Sequence, residues 1–219
     1  MVDIFDEVEE ELREERMQEF LKKNGVLLFA AALMVIGAVA GWKAWGWYEN
    51  RQDTDAANRY LAAATRTEAA GVAGPNLPAA IAAFQTVEAS APEGYRVLAR
   101  LREAALRADS GDQRGAAALW DQVAADSSAD PLLRDLASFT WCLHYADKGD
   151  PALLEGRLKP LAAPGNAWRS LAREQLALLE LRQGHTEAAM TQLKKLAEDT
   201  TAPSGVRGRA SALLARVGG

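Results

Sequence analysis

The 219-residue sequence predicts an all-α chain, with a single N-terminal transmembrane helix followed by a tetratricopeptide-like α-solenoid of about four degenerate helix pairs and a capping helix. Three observations carry that expectation. Residues 25–41 contain no charged side chain, and from Arg51 onward apolar residues recur at spacings of three and four without a sustained β-type alternation. A Leu-Ala pair also stands thirteen residues before each of four glycines.

Residues 1–23 read as a cytoplasmic amphipathic tail: Ile4, Val8 and Leu12 lie four apart, Phe5 stands beside them, and Phe20 and Leu21 approach the apolar stretch. The face is narrow and its surroundings are acidic, which argues against an anionic lipid surface and favours a solvated tail over a partner contact. Residues 24–48 read as the transmembrane helix. A span needs roughly 20 residues to cross roughly 30 Å of hydrocarbon, and Gly25 to Trp47 supplies them if Lys43 snorkels. Trp42, Trp45, Trp47 and Tyr48 form an aromatic belt beside Lys43, and Lys22 and Lys23 mark the other interface. Ala38-Val39-Ala40 has the form of a signal-peptidase site, but the preceding segment is long and rich in Glu and Asp, whereas a signal peptide needs a short basic leader. The helix therefore reads as an uncleaved anchor. Arg13, Arg16, Lys22 and Lys23 precede it, against Lys43, Arg51 and Arg59 after it. That bias places the N-terminus in the cytoplasm and residues 49–219 outside, which in a bacterial inner membrane is the periplasm.

Within residues 49–219 the repeated pairs are Leu61-Ala62, Leu98-Ala99, Leu136-Ala137 and Leu171-Ala172, leading to Gly74, Gly111, Gly149 and Gly184. Their intervals of 37, 38 and 35 residues are close to a 34-residue helix-turn-helix repeat and short of the longer HEAT and armadillo units. Five, nine and twelve positions after the glycine stand Ala116, Trp120 and Val123, then Leu154, Leu158 and Leu161, then Ala189, Leu193 and Leu196. The first unit reaches Ala80, Phe84 and Val87 only with one inserted residue. Small residues at the first position let paired helices approach, and larger ones fill the space between units. Asp130-Pro131 and Asp150-Pro151 predict helix starts. GVAGPNLP at 71–78 and AAPGN at 162–166 are the breaks, and Ser204 to Val217 is the expected cap.

The formal net charge of −5 and the absence of a basic stripe argue against nucleic acid as a partner. A single cysteine forbids an internal disulfide, and two histidines are too few for most zinc chemistry. No phosphate-binding loop, nucleophile elbow, zinc-protease or C-x-x-C motif occurs, so no catalytic residue, cofactor, metal or small-molecule substrate is expected and the chain reads as a non-enzyme. Cys142 and His144 lie on different helix faces, so Cys142 reads as a core residue and His185, after Gly184, as a solvated turn residue. Trp120 and Trp141 read as core, and Trp168 is balanced between core and partner contact. Partner-binding candidates are Asp109, Asp147 and Arg182, near the ends of the first helices on the expected inner face, together with Trp168.

Phe20-Leu21-Lys22-Lys23-Asn24-Gly25 before the span and Gly41-Trp42-Lys43-Ala44-Trp45 after it, joined to four degenerate repeats, resemble the YfgM-like family of ancillary Sec translocon subunits over essentially the whole chain. The resemblance implies an inner-membrane protein with a periplasmic repeat domain. Its implied partners are the Sec translocon and a membrane-anchored periplasmic peptidyl-prolyl isomerase chaperone, and its implied role is to pass emerging polypeptides to chaperones. The alternative is a scaffold for cell-envelope or cell-division assembly.

Overall fold

A computed structural model describes residues 4–70 and 76–218, with side chains described except at 4–21, Asn24, Leu28, Ala32 and 68–70. The predicted apolar face of the N-terminal tail and the turn glycine Gly74 lie outside the described residues. Among the described residues there are nine helices and no strand: α1 (Ile4–Ala70), α2 (Leu77–Ser90), α3 (Glu93–Asp109), α4 (Gln113–Ala125), α5 (Pro131–Tyr145), α6 (Pro151–Leu161), α7 (Arg169–Arg182), α8 (Thr186–Glu198) and α9 (Ser204–Val217). The chain divides into two compact units, Met1–Gln52 and Asp53–Gly219.

The first unit is helical, and from Gly25 its helix is long and apolar enough to cross a membrane. Val26 is 88% exposed and Met34 76%, an exposure that water penalises and hydrocarbon does not. Trp42, Trp45, Trp47 and Tyr48 are all exposed, as are Lys22, Lys23 and Lys43. The Arg51 guanidinium lies 5.2 Å from the centre of the Trp47 ring, near enough for a cation–π contact.

In the second unit the end of α1 packs Tyr60 and Ala63 against α2, α3 pairs with α4, α5 with α6, α7 with α8, and α9 closes the stack. Each helix packs chiefly on the helices just before and after it in the chain, so α3, α5, α7 and α9 form one layer over α2, α4, α6 and α8. The spacing of buried residues explains the pairing. All twelve residues expected after the glycines are buried, from Ala80, Phe84 and Val87 in α2 to Ala189, Leu193 and Leu196 in α8. Ala99, Ala137 and Ala172 are fully buried while the leucine before each is half-buried, so each pair straddles the edge of the core. The first unit departs by one residue. Leu61 is exposed and Ala63 takes the buried place, as the insertion required before Ala80 implies. Ala210 occupies the same position in α9, with Arg209 where the repeats have leucine.

Asp112, Asp130 and Asp150 cap α4, α5 and α6, accepting hydrogen bonds from the backbone N–H groups of Gly115, Leu132 and Ala152 at 2.9, 2.7 and 2.9 Å. Gly111 and Gly184 adopt φ of +90° and +82°, which an L residue resists. Gly149 serves the third turn for another reason. A Cβ there would stand 2.7 Å from the Tyr145 carbonyl oxygen.

A cleft between the third and fourth repeats

Residues three and four apart share one side of a helix, and on the odd-numbered helices the side turned away from the even-numbered layer is partly or fully exposed. On α3 it carries Leu98, Arg102, Ala105 and Asp109. The matching residues are Leu136, Thr140, Leu143 and Asp147 at α5, and Leu171, Gln175, Leu178 and Arg182 on α7. An apolar stripe thus crosses the repeats and ends, beside each turn glycine, in a row of charges.

Between α5 and α7 this surface opens into a cleft of about 210 Å³, floored by Leu154 and Leu158 of α6. Cys142, Ala146 and Asp147 form one wall, and Gln175, Leu178, Leu179 and Arg182 the other. Two features of the sequence open it here. Leu154 stands where the other repeats have Ala80, Ala116 and Ala189, and a larger residue holds paired helices apart. The α6 helix is also short, at 11 residues, and packs less closely on its neighbours than the other even-numbered helices do.

The charged walls differ in their commitments. Arg182 donates through Nη1 to the Ala146 carbonyl and through Nη2 to the Gly149 carbonyl at 2.7 Å. It therefore ties α7 to the end of α5, where carbonyls lack helical partners and a cation meets the negative end of the helix dipole. Asp147 is exposed and makes no ion pair among the described residues. Burial pushes the Cys142 thiol up to about 11, with the charge of Arg157 acting the other way, so at neutral pH it is a protonated, apolar part of the wall. Arg157 lies 4.0 Å from the centre of the Trp141 ring and pairs with Asp121 at 2.7 Å, fixing α6 against α5 and α4.

The cleft brings together two of the four residues singled out in the sequence, Asp147 and Arg182. Asp109 is exposed one repeat earlier, outside the cleft. Trp168 sits at the opposite end of α7. Its ring stacks on Phe139 at 5.5 Å, its indole N–H donates to the Leu132 carbonyl at 3.3 Å, and its backbone N–H donates to Asn166 Oδ1 at 2.8 Å. The contacts with Phe139 and Leu132 join the third and fourth repeats. Trp120 and Trp141 are core, and exposed His144 stacks on Trp120 at 4.6 Å. His185 is exposed and its Nδ1 lies 2.8 Å from Glu180. Gln175 and Leu178 were missed as site residues, although the Leu171 to Arg182 spacing marks them. Among the described residues no group of three His, Cys, Asp or Glu side chains could hold a metal ion.

The profile of the tetratricopeptide repeat-like domain matches residues 18–140, more than half of the chain. The chain belongs to the tetratricopeptide repeat-like domain family. The match runs from α1 into α5, and the tetratricopeptide repeat-like register continues beyond it, because α6 and α8 bury the same three positions as α2 and α4. Solenoids of this kind offer extended surfaces to protein partners, and the apolar stripe on the odd-numbered helices is such a surface. No curated protein and no solved structure matches the chain.

Proposed function

We propose that the protein is a membrane-anchored adaptor, ancillary to the Sec translocon and to a periplasmic peptidyl-prolyl isomerase chaperone, and that its repeat surface receives polypeptides during export. The observation that carries the adaptor role is the apolar stripe of exposed Leu143 and half-buried Leu98, Leu136, Leu171 and Leu178, on a chain whose N-terminal helix can span a membrane. Residues 1–23 are then the cytoplasmic tail, 24–48 the inner-membrane anchor and 49–219 the periplasmic domain. Confinement to the membrane raises the effective concentration of one partner for another, so a weak groove suffices for transient contacts. The translocon assignment is supported by the residues flanking the span, Phe20 to Gly25 and Gly41 to Trp45, through their resemblance to the YfgM-like family.

The test is affinity purification of the tagged full-length chain from mild-detergent membranes, alongside a copy carrying an unrelated span, with quantitative mass spectrometry. Enrichment of the Sec channel or the isomerase is expected, with loss on span replacement if recognition lies in the membrane. Enrichment of cell-division or envelope-assembly proteins in their place would retain the adaptor and remove the translocon.

A further inference from the structure

We infer that the cleft is a specificity pocket for one bulky apolar side chain of a partner polypeptide, with an adjacent Lys or Arg of that partner held by Asp147. This rests on the adaptor reading and names the segment the adaptor would recognise. At about 210 Å³ the cleft is smaller than the roughly 300–1,000 Å³ of pockets that enclose whole small molecules, and its scale is that of one large side chain. Leu154, Leu158, Leu178 and the protonated Cys142 make its lining largely apolar, with Asp147, Gln175 and Arg182 as the polar part of the walls.

The rim decides the neighbouring residue. Arg182 spends one donor of each terminal nitrogen on the Ala146 and Gly149 carbonyls, which fixes its guanidinium in place and leaves its positive charge intact. Asp147 is exposed, lines the cleft and has no ion-pair partner among the described residues. The rim therefore carries both signs, with the Arg182 cation fixed on backbone carbonyls and the Asp147 carboxylate left to a partner, and Asp109 repeats that carboxylate one unit away in the same register. A basic residue placed beside Asp147 complements its carboxylate, and an acidic one at that place meets like charge.

The probes are fluorescein-labelled Gly/Ser decapeptides with a central Phe-Lys, Phe-Glu or Ala-Lys, titrated to millimolar concentration against the full-length chain in nanodiscs and read by anisotropy. Phe-Lys is expected to bind tightest, with Phe-Glu about fivefold weaker, the scale of a solvent-exposed ion pair. Ala-Lys should be about thirtyfold weaker, the scale of a lost anchor residue. In Asp147→Lys the order of Phe-Lys and Phe-Glu should reverse, a gain that a misfolded variant cannot produce. Equal binding of the three peptides, binding of none, or an unreversed order in Asp147→Lys overturns the pocket. The adaptor reading is judged separately by the proteins that the wild-type chain captures from membranes, so either can fail alone.

Discussion

The last helix packs on the stack through Val206 and Ala210 and is also tied to it by an ion pair whose removal has a calculable consequence. Glu174 of α7 is 4% exposed, and both its oxygens accept hydrogen bonds from Arg209 of α9 at 2.7 Å. Arg209→Ala leaves the carboxylate buried without its partner. Breaking a fully buried pair costs about 3–5 kcal/mol, and because the guanidinium here is half exposed the expected cost is about 2–3 kcal/mol. That cost falls on α9, which packs chiefly on α8 and α7 and can open without disturbing the first repeats. Amide exchange across Ser204–Val217 should accelerate about 30- to 150-fold, with α3 and α4 unchanged, as read by hydrogen exchange and mass spectrometry of the full-length chain. The double variant Glu174→Leu with Arg209→Leu should recover most of the loss. At the register of Glu174 the second and third repeats have Leu101 and Phe139, and at that of Arg209 three repeats have leucine, so the variant restores an apolar contact the fold already uses. Exchange of α9 within threefold of wild type in Arg209→Ala, or no recovery in the double variant, would refute this account.

Trp120→Ala should cost about 3–5 kcal/mol in denaturant unfolding, because Trp120 is fully buried within the largest core cluster among the described residues, and a loss below about 1 kcal/mol would contradict that packing. Gly149→Ala should destabilise more than Gly111→Ala in the same measurement. The added Cβ at Gly149 meets backbone, whereas at Gly111 it meets open space and only the positive φ resists it. Asp112, Asp126 and Asp199 are held below the usual carboxylate value, by the Gly115 N–H and then Arg107, by Ser128, and by Thr201 respectively. Their contribution is complete above the unfolded value of about 3.9 and lost as pH falls through the lower folded values. The stability gap between wild type and a triple Asp→Asn variant, followed by circular dichroism, should therefore close below about pH 4, and a gap constant with pH would exclude these carboxylates. Maleimide labelling of Cys142 should be slow in the folded chain and fast in denaturant, since the thiol is buried and its pKa raised.

Much of the repeat architecture was legible because helix pairing depends on volume at fixed spacing. Ala116, Trp120 and Val123 announce a small residue and two fillers without any knowledge of their neighbours, and the structure buries all three. The cap was legible as a helix, but its inward face was not. Val206 and Ala210 are its buried residues, whereas Leu213 and Leu214, the more hydrophobic choices, are only half-buried. Burial at the end of a stack is set by the single neighbour below, which periodicity does not reveal. Asp147 and Arg182 looked alike as helix-end charges. What separates them is whether a carbonyl lies within reach, and the carbonyls that occupy Arg182 belong to another repeat, over thirty residues earlier in the chain. Trp168 was balanced between two roles for the same reason, its hydrogen-bond acceptor being the Leu132 carbonyl.

Leu154 replaces the alanine that every other described repeat puts at its position. Most solenoid positions are constrained because they must match their counterparts on both sides, yet here one enlarged residue coincides with an opening while the stack above and below remains in register. A repeat array tolerates such a local misfit because the neighbours bear it independently. A new receptor surface can therefore arise inside one unit by changes of side-chain size alone, leaving the remaining units to supply rigidity. Grafting the reverse change, Leu154→Ala, or transplanting the leucine to Ala116, would turn the location of the pocket into a design variable along the array.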